Sequence, residues 1–289
     1  MIIKKMHETD ISVVAHFIAQ INQEPNSHIG YCGTDKEEIE KYLMEELTDV
    51  SAWDSFITAW ENNSLLGIIG FDADIESKSI EVWGPFIKET HWNIASLMWN
   101  ELLILLPDEI DKVNLFPNKK NHHCLQFASE QNFQFLSEQT ILKINRQENN
   151  KSPVLPELTL EYDKEFSTLH QEAFPSTYYT SEQILARRNE HRKVFITTEQ
   201  GELSGYIYVE AEPEFGEASI EFFAVKEQFR GKGIGGKLLT TALQWLFRFE
   251  TINSVTLCVN SKNEKAIRLY EKVGFEVMHE LCFFSKKMN

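Results

Sequence analysis

A glycine-rich stretch between an apolar strand pattern and an apolar helix pattern is the part of this sequence best suited to chemistry. The apolar run ends at Val225, and residues 230–236 (RGKGIGG) lead into the helical pattern. The first backbone N–H groups of a helix have no intrahelical acceptor and carry partial positive charge, so they attract anions. Glycine lets the backbone approach a phosphate closely and adopt positive φ angles. The stretch therefore predicts a phosphate-binding loop.

Three phosphate-binding patterns compete for this loop, and residue spacing separates them. A P-loop needs Ser or Thr after its lysine to hold Mg²⁺, but Leu238 stands there. A dinucleotide-binding loop needs an acidic residue near the end of the next strand, and the predicted strand ends in Asn260. The third pattern, Arg-x-x-Gly-x-Gly, is matched by Arg230, Gly233 and Gly235.

A second segment, one predicted strand further on, favours the third pattern. Residues 263–275 read NEKAIRLYEKVGF, in which Ala266, Leu269 and Tyr270 fall on one face of a helix. Gly274 suits the end of that helix, where a positive φ is common. Together the two segments resemble the GNAT superfamily, the acyl-CoA N-acyltransferases. The resemblance covers roughly residues 155–289.

This resemblance implies a set of residues that binds acetyl-CoA. The loop would hold the pyrophosphate, three strand residues would pair through their backbone with the pantetheine arm, and an asparagine would contact that arm. In this order the residues are Arg230, Gly231, Lys232, Gly233, Ile234, Gly235 and Gly236; Phe223, Ala224 and Val225; and Asn263. Acetyl-CoA is the implied co-substrate, an amine is the implied acceptor, and no metal is implied.

Two residues are candidates for the proton transfers that acyl transfer from a thioester to an amine requires. Tyr270 is the candidate acid, because a phenol can protonate a departing thiolate; the alternative is a tyrosine that only positions CoA. Glu221 is the candidate base, directly or through water; the alternative is an electrostatic anchor for a cationic acceptor. Glu221 lies two residues before Phe223 on the predicted strand, so their side chains are predicted to share a face.

An aromatic segment could contribute to the acceptor pocket. Residues 174–179 (FPSTYY) lie between the first two predicted helices of the second half. In GNAT folds this region often forms a wall of the acceptor pocket, which is what the resemblance implies here. The aromatic side chains are equally suited to a hydrophobic core.

The sequence indicates an internal repeat. Ser79-Ile80-Glu81 matches residues 219–221, and residues 121–133 match residues 263–275. The first half has no Arg-x-x-Gly-x-Gly, has Trp92 near the position of Gly233, and has Ala128 in place of Tyr270. We therefore predict a degenerate GNAT-like domain at 1–146, a linker at 147–156 and a catalytic domain at 157–289. Each domain is expected to be α+β, with a mixed, mostly antiparallel sheet flanked by helices, and a strand over 157–161 is expected to open the second.

Composition limits the class of protein. The chain has 289 residues, of which 42% are hydrophobic and 25% charged, as in a soluble protein with packed cores. No apolar run approaches the roughly 18 residues of a membrane span, and the start does not resemble a signal peptide. The four cysteines have no close metal-ligand spacing. These features predict a cytoplasmic protein with no membrane partner.

The net charge of −16 argues against a nucleic-acid partner and favours a cationic acceptor. The leading prediction is an N-acetyltransferase that moves an acetyl group from acetyl-CoA to a primary amine of a small molecule or peptide. The alternative is a non-catalytic CoA-binding or sensing module. The combination of Glu221, Tyr270 and a complete loop favours the enzyme; oligomeric state is left open.

Overall fold

The described part of the chain falls into two compact units. The computed structural model describes residues 1–146, 154–175 and 177–288. Unit 1 contains Met1–Gln139 together with the residues from His279 onward, and unit 2 contains Thr140–Met278. Unit 2 therefore begins within the last strand of the first half, at Thr140, and unit 1 includes the end of the last strand of the second half, from His279. The predicted linker lies outside the described residues over 147–153, and the boundaries of the sequence repeat stay a prediction.

The helices and strands follow one another in an order that repeats. From the first half come β1 (Ile2–Lys5), α1 (Ile11–Asn22), α2 (Lys36–Lys41), α3 (Ala52–Ser55), β2 (Phe56–Glu61), β3 (Ser64–Asp74), β4 (Ser79–Ile87), α4 (Ala95–Leu103), β5 (Lys112–Leu115), α5 (His122–Glu130) and β6 (Gln134–Asn145). From the second half come α6 (Asp163–Ala173), α7 (Ser181–Arg187), β7 (Arg192–Glu199), β8 (Glu202–Glu212), β9 (Glu217–Val225), α8 (Ile234–Leu246), β10 (Ser254–Asn260), α9 (Glu264–Val273) and β11 (Glu276–Lys287).

The strands of each unit form a mixed arrangement. In unit 1 the strand order is β1-β2-β3-β4-β5-β11, and in unit 2 it is β6-β10-β9-β8-β7. The hairpins β2–β3, β3–β4, β7–β8 and β8–β9 are antiparallel, whereas β4–β5 and β9–β10 are parallel. The predicted architecture, a mixed and mostly antiparallel sheet flanked by helices, is confirmed.

One local prediction is wrong. The strand expected over 157–161 does not form; Glu157 makes one isolated bridge to Phe195, and Leu160–Tyr162 is a 3₁₀ turn. Leu158 is buried, but Leu160 is 84% exposed, so the two leucines do not form the continuous apolar face of a strand. The helix α2 changes character after Lys41, where Tyr42–Glu46 continues as a π-helix.

β8 carries the core of unit 2 on both of its faces. Ile207 and Val209 belong to the hydrophobic cluster that contains Leu238 and other residues of α8. Tyr206 and Tyr208, on the opposite face, belong to the cluster formed with α6 and α7. Side chains alternate between faces along a strand, so an apolar strand of this kind has helices on both sides.

The helices α5 and α9 show the repeat most directly. Oδ1 of Asn121 accepts a hydrogen bond from the backbone N of Cys124 at 3.0 Å, and Oδ1 of Asn263 accepts one from Ala266 at 3.3 Å. Each asparagine is therefore the N-cap of its helix. At the other end, Asn132 and Gly274 both adopt positive φ, at 59° and 112°.

Strand register corrects one residue of the predicted repeat. Glu81 pairs with Asp72 of β3, whereas Ser219 pairs with Glu210 at the matching position of β8. Glu81 is therefore the structural counterpart of Ser219 and not of Glu221. The Ser-Ile-Glu sequence that the two halves share is not aligned in the fold.

Candidate active site

The glycine-rich loop leads into α8, whose first N–H groups have no acceptor within the helix. Gly233 is the N-cap residue of α8 with φ 78°, in the left-handed region, and Gly231 has the same φ. The first helical bond runs from the N of Lys237 to the O of Gly233 at 3.2 Å. The N–H groups of residues 234–236 therefore have no acceptor within the helix. A Cβ at Gly231, Gly233 or Gly236 would meet no atom within 4 Å, so a bulky anion fits against this loop.

Gly235 has a packing role that the sequence did not indicate. A Cβ at this position would lie 2.9 Å from Cδ2 of Leu269 and 3.1 Å from Cζ of Phe223. Both separations are shorter than ordinary van der Waals contact, so a larger residue at this position would require the side chains of Leu269 and Phe223 to shift. The pattern Arg-x-x-Gly-x-Gly thus joins a glycine needed for conformation to one needed for packing.

β9 and β10 separate partway along β9. Parallel pairing joins Ser219 to Thr256 and Ile220 to Leu257. Within the described residues no β9–β10 pair is formed beyond this point, although residues 223–225 keep their antiparallel pairs with β8. The outer edge of residues 223–225 can therefore pair with an extended ligand. We call the place where the two strands separate the fork.

Arg230 joins the glycine-rich loop to the fork. Its Nε donates a hydrogen bond to the carbonyl oxygen of Val225 at 3.0 Å. The residues predicted to bind the pyrophosphate and those predicted to pair with the pantetheine arm therefore lie next to each other. The binding role of each of these residues stays a prediction.

Glu221 occupies a β-bulge at the fork. Phe222 pairs with Tyr208 and Ile220 pairs with Val209, which leaves Glu221 as an extra residue with no partner on β8. The bulge breaks the alternation of side chains along β9. The prediction that Glu221 shares a face with Phe223 is therefore wrong. Phe223 packs beside α8 and α9, whereas Glu221 lies with Phe222 on the face of α6 and α7.

Both oxygens of the Glu221 carboxylate accept hydrogen bonds. The hydroxyl of Ser219 donates to Oε1 and the phenol of Tyr178 donates to Oε2. Burial raises the pKa of the Glu221 carboxyl, and these two hydrogen bonds oppose that rise. Glu210 raises the pKa further, whereas Arg187 lowers it. The carboxylate is therefore partly buried but kept able to ionise, which suits a proton acceptor.

A buried ion cluster supports this face of the sheet. Glu210 is 8% exposed and accepts hydrogen bonds from Arg187, from Nε of Arg192 at 3.0 Å and from the Tyr208 phenol. The two guanidinium groups therefore compensate the buried charge of Glu210. This cluster could not be predicted from the sequence, because its members come from α7, β7 and β8 and have no characteristic spacing.

Tyr270 lies on α9 against the opposite side of β9. It is 6% exposed, and its ring centroid lies 6.1 Å from that of Phe223 and 5.9 Å from that of Phe275. Burial, with a smaller effect of Cys258, raises the pKa of the phenol above its ordinary value. Tyr270 is therefore protonated at neutral pH, as a proton donor must be. The structure brings Tyr270 to Phe223, while Glu221 lies on the other face of β9 at the fork.

The aromatic segment between α6 and α7 packs beside Glu221. Phe174 and Tyr178 place their ring centroids 5.1 Å and 5.0 Å from that of Phe222. Tyr178 is 62% exposed, whereas Phe174 and Tyr179 are half-buried. Ser176, in the same predicted segment, lies outside the described residues. Phe174 thus joins the core, and Tyr178 faces the solvent next to the carboxylate.

In unit 1 the corresponding fork is filled by the chain itself. The β4–β5 pairing runs to Glu81 and Asn114, and beyond it the segment after α1 enters. The N of Gly30 donates to the O of Phe116 on the β5 side at 2.8 Å, while Cys32 lies against the backbone of Gly84 in β4. An extended ligand would have to displace this segment. Unit 1 therefore lacks both the loop and the open edge.

Trp92 and Ala128 occupy the first-half positions that the sequence marked as changed. The Trp92 ring is stacked on His123 at 4.9 Å, and Ala128 is fully buried. Within residues 1–146, 154–175 and 177–288, no three His, Cys, Asp or Glu side chains are arranged to hold a metal ion. In the same described parts, no helix is long and apolar enough to cross a membrane.

Curated relatives match part of the chain. It is 37% identical over 79 residues to a mycothiol acetyltransferase of Corynebacterium aurimucosum, which is 27% of this chain and 25% of that protein. It is 30% identical over 95 residues to a spermine/spermidine N(1)-acetyltransferase of Bacillus subtilis, which is 31% of this chain and 62% of that protein. The chain thus spans less than two thirds of each of these two relatives.

A third relative is matched over more of its length. An uncharacterised N-acetyltransferase of Methanocaldococcus jannaschii is 33% identical over 108 residues, which is 37% of this chain and 67% of that protein. The model of the Acetyltransferase (GNAT) family matches residues 157–275.

Solved structures share the fold over the whole chain. A GCN5-related N-acetyltransferase from Sphaerobacter thermophilus aligns with a TM-score of 0.75 at 16% identity, covering 99% of this chain and 95% of that one. A tandem GNAT protein from the clavulanic acid biosynthesis pathway aligns with a TM-score of 0.64 at 13% identity, covering 99% and 98%. Together with the sequence matches, this likeness of fold leads to one conclusion: the chain belongs to the GNAT family of acetyltransferases.

Proposed function

We propose that this protein is an N-acetyltransferase that moves an acetyl group from acetyl-CoA to a cationic primary amine, with one active site per chain, in unit 2. The observation that carries the proposal is the position of Glu221. A carboxylate that can ionise lies at the fork, beside an open strand edge that is tied to an anion-binding loop. An amine deprotonated by Glu221 would be formed next to the strand edge that holds the acyl donor.

The described residues fit acetyl-CoA as the donor. The N–H groups at the start of α8 and the open space at Gly231, Gly233 and Gly236 suit the pyrophosphate. The free edge of residues 223–225 suits the amide-containing pantetheine arm, which would pair as an added strand. Asn263 caps α9 through its side-chain oxygen, which leaves its amide nitrogen to donate to that arm.

Two residues would carry the proton transfers. Glu221 accepts a proton from the acceptor ammonium, and the free amine nitrogen attacks the thioester carbonyl carbon. As the C–S bond breaks, Tyr270 donates its proton to the sulfur and recovers one from the nitrogen through water. Glu221 then releases its proton to solvent. The net change is one acetyl group transferred, one CoA thiol formed and one proton released.

The carboxylates around Glu221 favour a cationic acceptor. Glu212 and Glu217 stand opposite each other at the end of the β8–β9 hairpin. Burial first and then Glu210 raise the pKa of Glu212, Arg192 opposes this rise, and Glu217 and Glu221 add smaller raising effects, so these carboxylates share one region. Since Glu210 is neutralised by arginines, the remaining carboxylates attract ammonium groups. The acceptor named for the Bacillus subtilis relative is a polyamine, which agrees with this electrostatic preference.

The first prediction tests the function. Release of the CoA thiol from acetyl-CoA should require an added amine. We expect thiol release with at least one of three cationic acceptors: spermidine, a monoamine or a lysine-containing peptide. Glu221→Gln should lower kcat/KM by about 10²-fold, because a general base is lost. Glu199→Gln, which removes the same charge from an exposed position at the end of β7, should leave kcat/KM nearly unchanged. CoA binding without thiol release for any cationic amine would favour the CoA-sensing module instead.

The second prediction concerns Gly233 and the number of CoA sites. Calorimetry should give about one CoA per chain. Gly233→Ala puts a side chain on a left-handed residue, which costs roughly 1–2 kcal/mol and distorts the donors of the loop, so CoA affinity should fall about tenfold or more. Gly201→Ala is the matched control, because Gly201 also has a positive φ of 81° and an open Cβ position, in the turn between β7 and β8. Two equal sites, or equal affinities of the two variants, would contradict the assignment.

The third prediction concerns Tyr270. Tyr270→Phe keeps the packing on Phe223 and removes only the hydroxyl, so CoA binding should be nearly unchanged while single-turnover acetylation slows by about 10²-fold. Tyr162→Phe, a half-buried tyrosine in a 3₁₀ turn of the same unit, is the control. A Tyr270→Phe variant as fast as the parent would make Tyr270 a packing residue and leave water as the acid.

A further inference from the structure

The two hydroxyl groups that bind Glu221 differ in origin. Ser219 belongs to the same strand and donates to Oε1, whereas Tyr178 reaches Oε2 from the segment between α6 and α7. Ser219 is half-buried, and Tyr178 is 62% exposed. One oxygen of the carboxylate is therefore fixed from within the sheet, and the other is held from the side that an acceptor would approach.

The segment that carries Tyr178 is held in place. The carbonyl oxygen of Tyr179 lies 2.9 Å from Nε2 of His170, and a carbonyl can only accept, so Nε2 donates. Burial lowers the pKa of His170, so the neutral ring accepts from the Tyr206 phenol at Nδ1, at 2.6 Å. The guanidinium of Arg187 lies 4.2 Å from the ring centroid of Tyr179. The residue next to Tyr178 is thus anchored to α6 and α7.

The ring of Tyr178 has its own contacts. Its centroid lies 5.0 Å from that of Phe222 and 4.8 Å from that of Tyr179. These contacts depend on the ring and not on the hydroxyl. The hydroxyl can therefore be removed while the ring stays where it is.

We propose that Tyr178 is a positioning residue for Glu221: its hydroxyl holds Oε2 and aims the carboxylate at the acceptor. The inference rests on the proposed role of Glu221 as the base. Tyr178 needs no contact with the reacting atoms to act in this way. It acts through the carboxylate, from a segment whose order depends on His170 and Arg187.

Several charged and titratable groups act on Glu221 together. Those that face it are Ser219 on β9, Glu210 and Glu212 on β8, Arg187 on α7, and Tyr178 and Tyr179 between α6 and α7. Burial and Glu210 disfavour the ionised carboxylate, whereas Ser219, Tyr178 and Arg187 favour it. Loss of the Tyr178 hydroxyl should therefore raise the pKa of Glu221. Since the base must be ionised, activity on the acid side of the profile should then be lost at a higher pH.

The test compares Tyr178→Phe with the parent by two measurements. The first is an NMR titration of the side-chain carboxyl carbons, with the Glu221 signal assigned by its loss in Glu221→Gln. The second is the pH profile of kcat/KM for acetylation of the best amine. Both the carboxyl titration and the acid limb should move up by about one pH unit, the scale expected for one hydrogen bond to a charged group. Ser219→Ala should move them in the same direction.

Tyr162→Phe is the matched control, because it removes the phenol of a half-buried tyrosine elsewhere in unit 2 and should leave both titrations at the parent pH. Circular dichroism establishes that each variant is folded. An unchanged Glu221 titration in folded Tyr178→Phe would overturn the inference. A titration that moves while the kcat/KM profile does not would confirm the coupling and contradict the base role of Glu221 in the proposed function.

Discussion

The extra residue in β9 is the constraint on which the proposed chemistry of unit 2 depends. In a regular strand, Glu221 would face the same side as Phe223 and would be covered by α8 and α9. Because Glu221 has no partner on β8, the strand places Glu221 and Phe222 on one face and returns to regular pairing at Phe223. The carboxylate therefore reaches the face where Ser219 and Tyr178 bind it, at the point where β9 leaves β10.

The two units show how little of a function is determined by a fold alone. Both have parallel strands that separate, followed by a helix with an asparagine N-cap. In unit 2 the fork is open and adjoins a glycine-rich loop. In unit 1 the segment around Gly30 bonds to Phe116 and fills the fork. A glycine-rich loop grafted onto unit 1 would therefore still face a closed edge.

Local patterns in the sequence predicted much of this structure. The positive φ of Gly233, the helix of residues 264–273 and the mixed, mostly antiparallel sheet of each unit agree with what glycine placement and apolar periodicity predicted. What could not be predicted depended on pairing between distant residues. The bulge at Glu221 exists only relative to β8, so simple alternation put its side chain on the wrong face. The same reason explains why Glu81 was matched with Glu221. The two halves share the sequence Ser-Ile-Glu, but the strand pairing shows that Glu81 corresponds to Ser219.

The interactions that support Glu221 and Tyr178 could not be predicted from the sequence either. Glu210, Arg187 and His170 are ordinary residues in their own segments, and they become a site only when α6, α7 and β8 pack together. Gly235 is the opposite case. The sequence motif contains this glycine, but its close packing against Leu269 is visible only in the structure. The sequence motifs supplied the residues that we propose for the donor side, whereas most residues around Glu221 came to notice only in the structure.

A crystal structure of the full chain with CoA bound would test the central claim most directly. CoA is expected in unit 2 alone, with its pyrophosphate on residues 230–236 and its pantetheine arm along residues 223–225, so that the sulfur reaches the fork. CoA bound in unit 1, or phosphates placed away from the start of α8, would contradict the proposed site.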